Sequence, residues 1–229
     1  MARPRDRTPD KLPRGKHGLS PAFVAQNQRE RLLSAMIDAV AESGYAETTV
    51  ADVLEWSGIS RKTFYDMFAS KEECFLEAYD GLIEGLSTRI GAAYATEAKW
   101  PERVRASLRE LLDALSERPA AARVGLVEVL AAGPRALERY DQALRRFVPL
   151  LEDGRTESPY GSQLPPNISE AVVGGVAQVL YLRVLTGDVE GVTDALDELL
   201  YFALVPYLGH ARATRITYAR RPGASAQDA

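Results

Sequence analysis

Apolar side chains recur along most of this chain at spacings of three and four, and no segment shows the clean two-residue alternation of a half-buried strand. The pattern predicts an all-α chain of about nine helices. Over Pro21 to Ser43, Leu33, Met36, Ile37, Val40 and Ala41 recur at helical spacing, and Gly44 supplies the stop. Thr48 and Thr49 offer caps for a short helix from Val50 to Trp56. Ser57-Gly58-Ile59 is a tight turn in which Gly58 suits a positive φ, and Ser60 caps a third helix to about Phe68. Ser70 with Glu73 has the S-x-x-E form of a capping box and opens a long fourth helix to about residue 95, with Phe75, Tyr79, Leu82, Leu86, Ile90 and Tyr94 as its buried stripe. Further helices are expected over 100–116, 119–131, 134–151, 167–186 and 193–208, with 154–166 as the long Gly/Pro/Ser-rich break. Residues 1–20, basic and poor in large apolar side chains, read as a disordered arm, and residues 212–229 as a flexible tail.

Charge changes the picture more than composition does. The formal net charge is −4, but residues 1–35 hold eight Lys/Arg against three Asp/Glu, whereas residues 72–208 hold 13 against 22. A basic head on an acidic body suits a polyanionic partner at one end, because local surface charge and not the chain total governs such binding. The arm cations Arg3, Arg5, Arg7, Lys11, Arg14 and Lys16 read either as a minor-groove or phosphate-contacting extension or as a solubilising tail. The cluster Arg212, Arg215, Arg220 and Arg221 is expected to be inert. A lone cysteine, Cys74, excludes an intrachain disulfide and fits a reducing cytoplasm. No membrane span and no secretion signal are expected, since no stretch reaches about 18 uninterrupted apolar residues and the basic start has no apolar run after it.

Thr49 to Phe68 has helix-turn-helix anatomy. At about 100° per residue, Phe64, Met67 and Phe68 fall on one side of the third helix, where they can pack on Leu33, Ile37 and Val53. Arg61, Lys62, Tyr65 and Asp66 fall on the other. Arginine and lysine there can donate to guanine O6 and N7. Thr49 and Lys71, at the starts of the flanking helices, are placed to hold phosphates and fix register.

Residues 35–80 closely resemble the N-terminal domain of the tetracycline-repressor (TetR) family. The resemblance rests on Gly44-Tyr45, Thr48-Thr49-Val50, Gly58-Ile59-Ser60, Thr63-Phe64-Tyr65, Phe68 and Lys71-Glu72-Glu73, in that order and spacing. It implies phosphate contacts from Thr49, Tyr65 and Lys71, and base reading from the start of the third helix at Ser60, Arg61, Lys62 and Thr63. Leu54 and Ser57 depart from many relatives, which carry a small residue and an alanine there. Asp66 can accept from cytosine N4 or repel phosphate, so base preference stays open.

The resemblance further implies a DNA-binding domain over 21–81, a ligand-binding and dimerisation bundle over 82–211, a double-stranded operator and a small-molecule effector. The segments 167–186 and 193–208 are more apolar than one buried stripe requires, and suit a homodimer interface. Asn167 to Glu170 reads as a second capping box. Tyr94, Trp100, Leu111, Leu112, Val124, Val127, Phe147 and Tyr181 are candidates to line a mostly apolar pocket, with Arg123 and Glu128 to orient a ligand. Two histidines, His17 and His210, without ligand-spaced companions, and no nucleotide-binding or nucleophile motif, point to no metal, no cofactor and no enzyme. Two alternatives stand beside an effector-released repressor: a helical lipid- or acyl-thioester-binding module without specific DNA recognition, and a ligand-independent regulator of the same fold.

Overall fold

The computed structural model describes residues 20–188 and 190–218. The basic arm over residues 1–19, with His17, and the tail from residue 219, with Arg220 and Arg221, lie outside the described residues. The described chain is helical throughout: α1 (Pro21–Ser43), α2 (Val50–Ser57), α3 (Arg61–Met67), α4 (Lys71–Ala95), α5 (Trp100–Glu117), α6 (Pro119–Arg123), α7 (Val129–Ala131), α8 (Pro134–Arg145), α9 (Val148–Glu152), α10 (Gly154–Glu157), α11 (Ile168–Leu185), α12 (Leu196–Leu208) and α13 (His210–Tyr218).

The early helix starts are where the hydroxyls put them. Ser20 accepts from Phe23 N and Pro21 occupies the first turn of α1, while Gly44 at φ 83° ends it. Thr49 and Asp52 exchange side-chain and backbone bonds in a complete capping box, and Gly58 closes α2 in the left-handed region at φ 64°. At α4 the box is displaced. Ser70 caps Glu73 N, but the Glu73 carboxylate takes the amide of Ala69, one residue upstream of the cap.

Several expected elements are subdivided. Helix 119–131 is interrupted by a π-helical turn over Val124–Glu128. Helix 134–151 breaks after Arg145, and Pro149 in the first turn of α9 has no amide with which to continue the earlier ladder. The 154–166 break contains α10 and a 3₁₀ turn over Gly161–Gln163. The cap expected at Asn167 makes no side-chain bond. Ser169 is instead claimed by Glu152 and by the Tyr207 hydroxyl. Residues 212–218, read as the start of a flexible tail, belong to α13, whose Ala213 and Thr217 are buried.

Two cores result. One joins α1–α4 to the second bundle: Leu32, Met36, Val40, Val53, Phe64, Phe68 and Phe75 pack in the same cluster as Val124, Val129 and Ala136. The other is built by α5, α11 and α12 around Trp100, Leu112, Leu180, Leu200 and Tyr207. Among the described residues α11 is the one helix long and apolar enough to cross a membrane by length and composition, with a mean hydropathy of 1.5. Only 39% of it is buried within the chain.

Cys74 sits at 0% exposure in the first core, and burial, with help from the Glu77 carboxylate, pushes its thiol up to about 12. Because the thiolate is the reactive form, the native protein should react with an aromatic disulfide reagent more than about a hundredfold more slowly than the urea-unfolded chain. Equal rates would mean that α4 opens readily.

Candidate nucleic-acid interface and chamber

The head is braced from behind by arginines that face inward. Buried Arg31 on α1 donates to the Ser57 carbonyl and so holds the C-terminal end of α2. Arg29 forms a two-pronged pair with Glu77 on α4 and lies 4.7 Å over the Phe68 ring just after α3. These contacts fix α3 against its neighbours and leave its far side free to meet a partner.

That far side carries Arg61, Lys62, Tyr65 and Asp66, all exposed, while Phe64 beneath them is fully buried. Tyr65 stands half-exposed, edge-on to Phe64 at 5.3 Å between ring centroids. Lys62 pairs with Asp66 one turn on, at 2.9 Å. The pair is exposed, so a phosphate or base edge can draw the lysine away at little cost. Ser60 caps Thr63 N, and the two hydroxyls lie 2.9 Å apart. Thr49, also exposed, is held by Asp52. Lys71 differs from its expected role in one respect. Its ammonium already donates to the carbonyls of Tyr45 and Thr48 at 2.8 Å and sits 4.1 Å from the Tyr45 ring centroid. Two of its three hydrogens tie the α1–α2 turn to the start of α4, and one remains for a phosphate.

Behind the head lies a chamber of about 300 Å³, at the lower end of ligand-pocket sizes. Its walls are Tyr79, Leu82, Leu86 and Ile90 of α4; Val104, Ser107, Leu108 and Leu111 of α5; Ala121, Gly125 and Leu126 around the π turn; Tyr140 and Leu144 of α8 with Phe147; and Val172, Val176 and Leu180 of α11. Of the pocket residues expected from sequence, Phe147 and Leu111 line it.

The others have different work. Trp100 is fully buried, 4.9 Å from Tyr207, with its indole N–H on the Leu150 carbonyl. Tyr94 donates to Asp153 at 2.6 Å. Leu112 and Val127 pack in the second core, Val124 in the first, and Tyr181 lies half-buried on α11 away from the chamber. Glu128 and Arg123 pair with each other at 2.9 Å, and Glu128 also accepts the Tyr45 amide at 3.0 Å. The π turn explains that change of role. It adds a residue to the helical repeat and rotates Glu128 away from the chamber toward the α1–α2 turn.

Reading the sequence alone missed the chamber roles of Tyr79, Ser107 and Gly125. Tyr79 lies in the buried stripe of α4, as its helical spacing predicts, but a stripe does not reveal where facing helices fail to fill the space between them. The one signal at the π turn is Gly125, where an added Cβ would lie 3.3 Å from a Leu82 methyl.

Residues 32–78 match the sequence profile of the bacterial regulatory proteins of the tetR family. The chain is 29% identical over 140 residues to the HTH-type transcriptional regulator EthR of Mycolicibacterium smegmatis, covering 60% of this chain and 63% of that protein. It is 26% identical over 198 residues to the uncharacterized HTH-type transcriptional regulator YfiR of Bacillus subtilis, covering 77% and 93%. The matched part thus spans less than two thirds of EthR. In fold it is similar to the fatty acid degradation regulator FadR of Bacillus halodurans, with a TM-score of 0.70, 15% identity and coverage of 77% and 94%. FadR of Bacillus subtilis in complex with stearoyl-CoA is next, with a TM-score of 0.65, 15% identity and coverage of 78% and 97%. At these identities the structural likeness concerns the fold alone.

Proposed function

We propose, from the match of residues 32–78 to the tetR family of bacterial regulatory proteins, that the chain is a sequence-specific DNA-binding transcriptional regulator, a repressor released from its operator by a small, mostly apolar effector. The observation that carries this reading is the free face of α3. Arg61, Lys62 and Tyr65 stand exposed on a helix whose opposite face is locked into the core, within the helix-turn-helix segment that matches the tetR family. Arg61 and Lys62 read base edges in the major groove, with Ser60 and Thr63 at the helix start beside them. Thr49, Tyr65 and Lys71 hold phosphates on either side.

The protein acts as a homodimer through α11 and α12. Leu182, Leu185 and Phe202 are each more than two-fifths exposed on these helices, an apolar surface of the kind that marks an interface. An added Cβ at Gly175 would come within 2.6 Å of the Phe202 ring, so the missing side chain lets the two helices approach closely. Covered by a second copy, α11 needs no membrane. Two heads then address half-sites about 34–36 Å apart or a multiple of that.

The chamber is the effector site. Helix α4 connects it to the head: Leu82, Leu86 and Ile90 line the chamber, and Lys71 opens the same helix beside α3. An effector that fits only the geometry with the heads misplaced shifts the protein toward that state by its differential affinity. That FadR of Bacillus subtilis was solved with stearoyl-CoA supports an effector with a long apolar part.

The test is selection of operators from a random-sequence DNA library, followed by anisotropy titration at about physiological salt. The selected site should bind at least about a thousandfold tighter than scrambled DNA. Tyr65→Ala and Arg61→Ala should each weaken it by roughly tenfold or more. Failure of the library to enrich any sequence counts against a regulator and favours the lipid-binding module.

A further inference from the structure

The chamber is long as well as apolar. Its lining positions on α5 run from Val104 to Arg118, and at about 1.5 Å of rise per residue they span roughly 20 Å of helix. On α4 they run from Tyr79 to Ile90. A volume of about 300 Å³ drawn out over that length suits an extended chain better than a compact molecule. Three of the lining positions are exposed: Gly81, Gly85 and Arg118. An added Cβ at either glycine would meet nothing within 4 Å. These three positions mark where the chamber meets solvent.

The charge at that opening has one sign. Among the described residues the lining holds two charged side chains, both arginines, and no carboxylate. The Arg89 guanidinium is committed to Glu110 and Glu117 at 2.5 and 2.9 Å. The Arg118 guanidinium makes no hydrogen bond or ion pair among the described residues. The carboxylates beside the opening along the chain are already taken. Asp80 pairs with Arg139 at 3.1 Å, Glu84 with Arg146 at 2.6 Å, and Glu117 with Arg89. Asp38 on α1 feels the Arg118 charge without pairing with it: burial pushes its carboxyl up, and Arg118 only partly offsets that. Arg118 is thus the cation at the opening whose charge no contact matches.

We infer that the chamber takes an extended apolar chain that ends in an anion, the chain inside and the anion at the opening on Arg118. An anion placed there keeps much of its hydration and avoids the desolvation cost it would meet inside, while the chain leaves water. A carboxylate and a phosphate offer the guanidinium the same two-pronged contact. The inference rests on the reading of the chamber as the effector site, and it adds the chemical class of the ligand and the direction in which it lies. Arg118 immediately precedes α6, whose Ala121 packs in the same core as the head. The charged end of the ligand therefore sits where the head meets the bundle.

The experiment uses the full chain and calorimetric titration with four probes of one chain length: decanoate, decyl phosphate, decanoyl-CoA and 1-decanol. At low salt and neutral pH the anion that fits should bind about three- to fivefold tighter than 1-decanol, the gain of an exposed ion pair. That gain should shrink in about 1 M salt. Arg118→Gln should remove it and leave 1-decanol unchanged, while Arg118→Lys keeps most of it. The three anions separate a free acid, a phosphate at the chain end and a phosphate-bearing conjugate, and the one that loses most in Arg118→Gln names the source. Leu111→Trp, which fills the chamber, should abolish binding of all four. The inference is overturned if Arg118→Gln leaves all three anions unchanged, if it weakens 1-decanol as much as the anions, if Leu111→Trp still binds them, or if no probe binds. Operator affinity measured on the same samples separates the two readings. Operator binding without probe binding counts against the chamber's assignment, and Arg118-dependent probe binding without operator binding counts against the regulator and upholds the ligand class.

Discussion

Trp100→Ala should destabilise the protein by about 3–5 kcal/mol, the usual cost of removing a fully buried large aromatic. The indole makes three kinds of contact at once. It packs on Tyr207, it donates its N–H to the Leu150 carbonyl, and its six-membered ring fills the space left by Gly154, where an added Cβ would lie 2.3 Å from Cζ2. It is therefore the point at which α5, α9, α10 and α12 meet. Truncation leaves a void bounded on one side by backbone that cannot collapse inward, since α10 is pinned by Glu157 on the Trp100 amide and by Arg155 on the Leu164 and Pro165 carbonyls. Urea unfolding with matched slopes measures the change. A loss below about 1 kcal/mol would show that the site relaxes and that this residue is peripheral. Trp100→Phe should recover much of the packing but not the hydrogen bond.

Glu128→Ala should cost about 2 kcal/mol, and its second effect is on communication. The carboxylate is 7% exposed and serves two elements at once, the Arg123 guanidinium and the Tyr45 amide. Removing it strands the amide, a loss in the range for hydrogen bonds to charged groups. Arg123 is two-fifths exposed and recovers water, which keeps the total below that of a fully buried pair. Glu128→Gln keeps an acceptor for Tyr45 and should retain most of the stability. The π turn that carries Glu128 also presents Gly125 and Leu126 to the chamber. On the proposed function, Glu128→Ala therefore weakens the dependence of operator affinity on effector, while Glu128→Gln preserves it. Operator titrations with and without effector, run on both variants, give the coupling directly. Unchanged coupling in Glu128→Ala would place communication in α4 alone.

What could be read from the sequence divides along a physical line. Helix starts were legible because a Ser or Thr capping an amide three residues on is a local event. Thr49, Ser60 and Ser70 each make that bond. The sidedness of α3 was legible because Phe64 and Arg61 differ in burial by more than any packing detail can reverse. The chamber was not, because an unfilled space depends on how α4, α5, α8 and α11 cross, which no one segment encodes. Trp100 and Tyr94 are aromatic in a helical region, a local pattern that fits a ligand wall as well as a core. Their partners, the Leu150 carbonyl and Asp153, lie fifty or more residues away along the chain. Asn167 fails for the opposite reason. Its spacing from Glu170 suits a local cap, yet its side chain makes no capping bond.

The placement of Val124, Val129 and Ala136 in one cluster with Phe64 and Phe68 bears on how such a molecule is divided. Cutting the chain near residue 81 would part the two halves in sequence but would expose one interior on both sides of the cut. The head has no private hydrophobic interior to take with it. On this packing the head is expected to unfold together with α6 to α8, and a chimera that kept this reading face on a different effector bundle should need those three helices as part of the head.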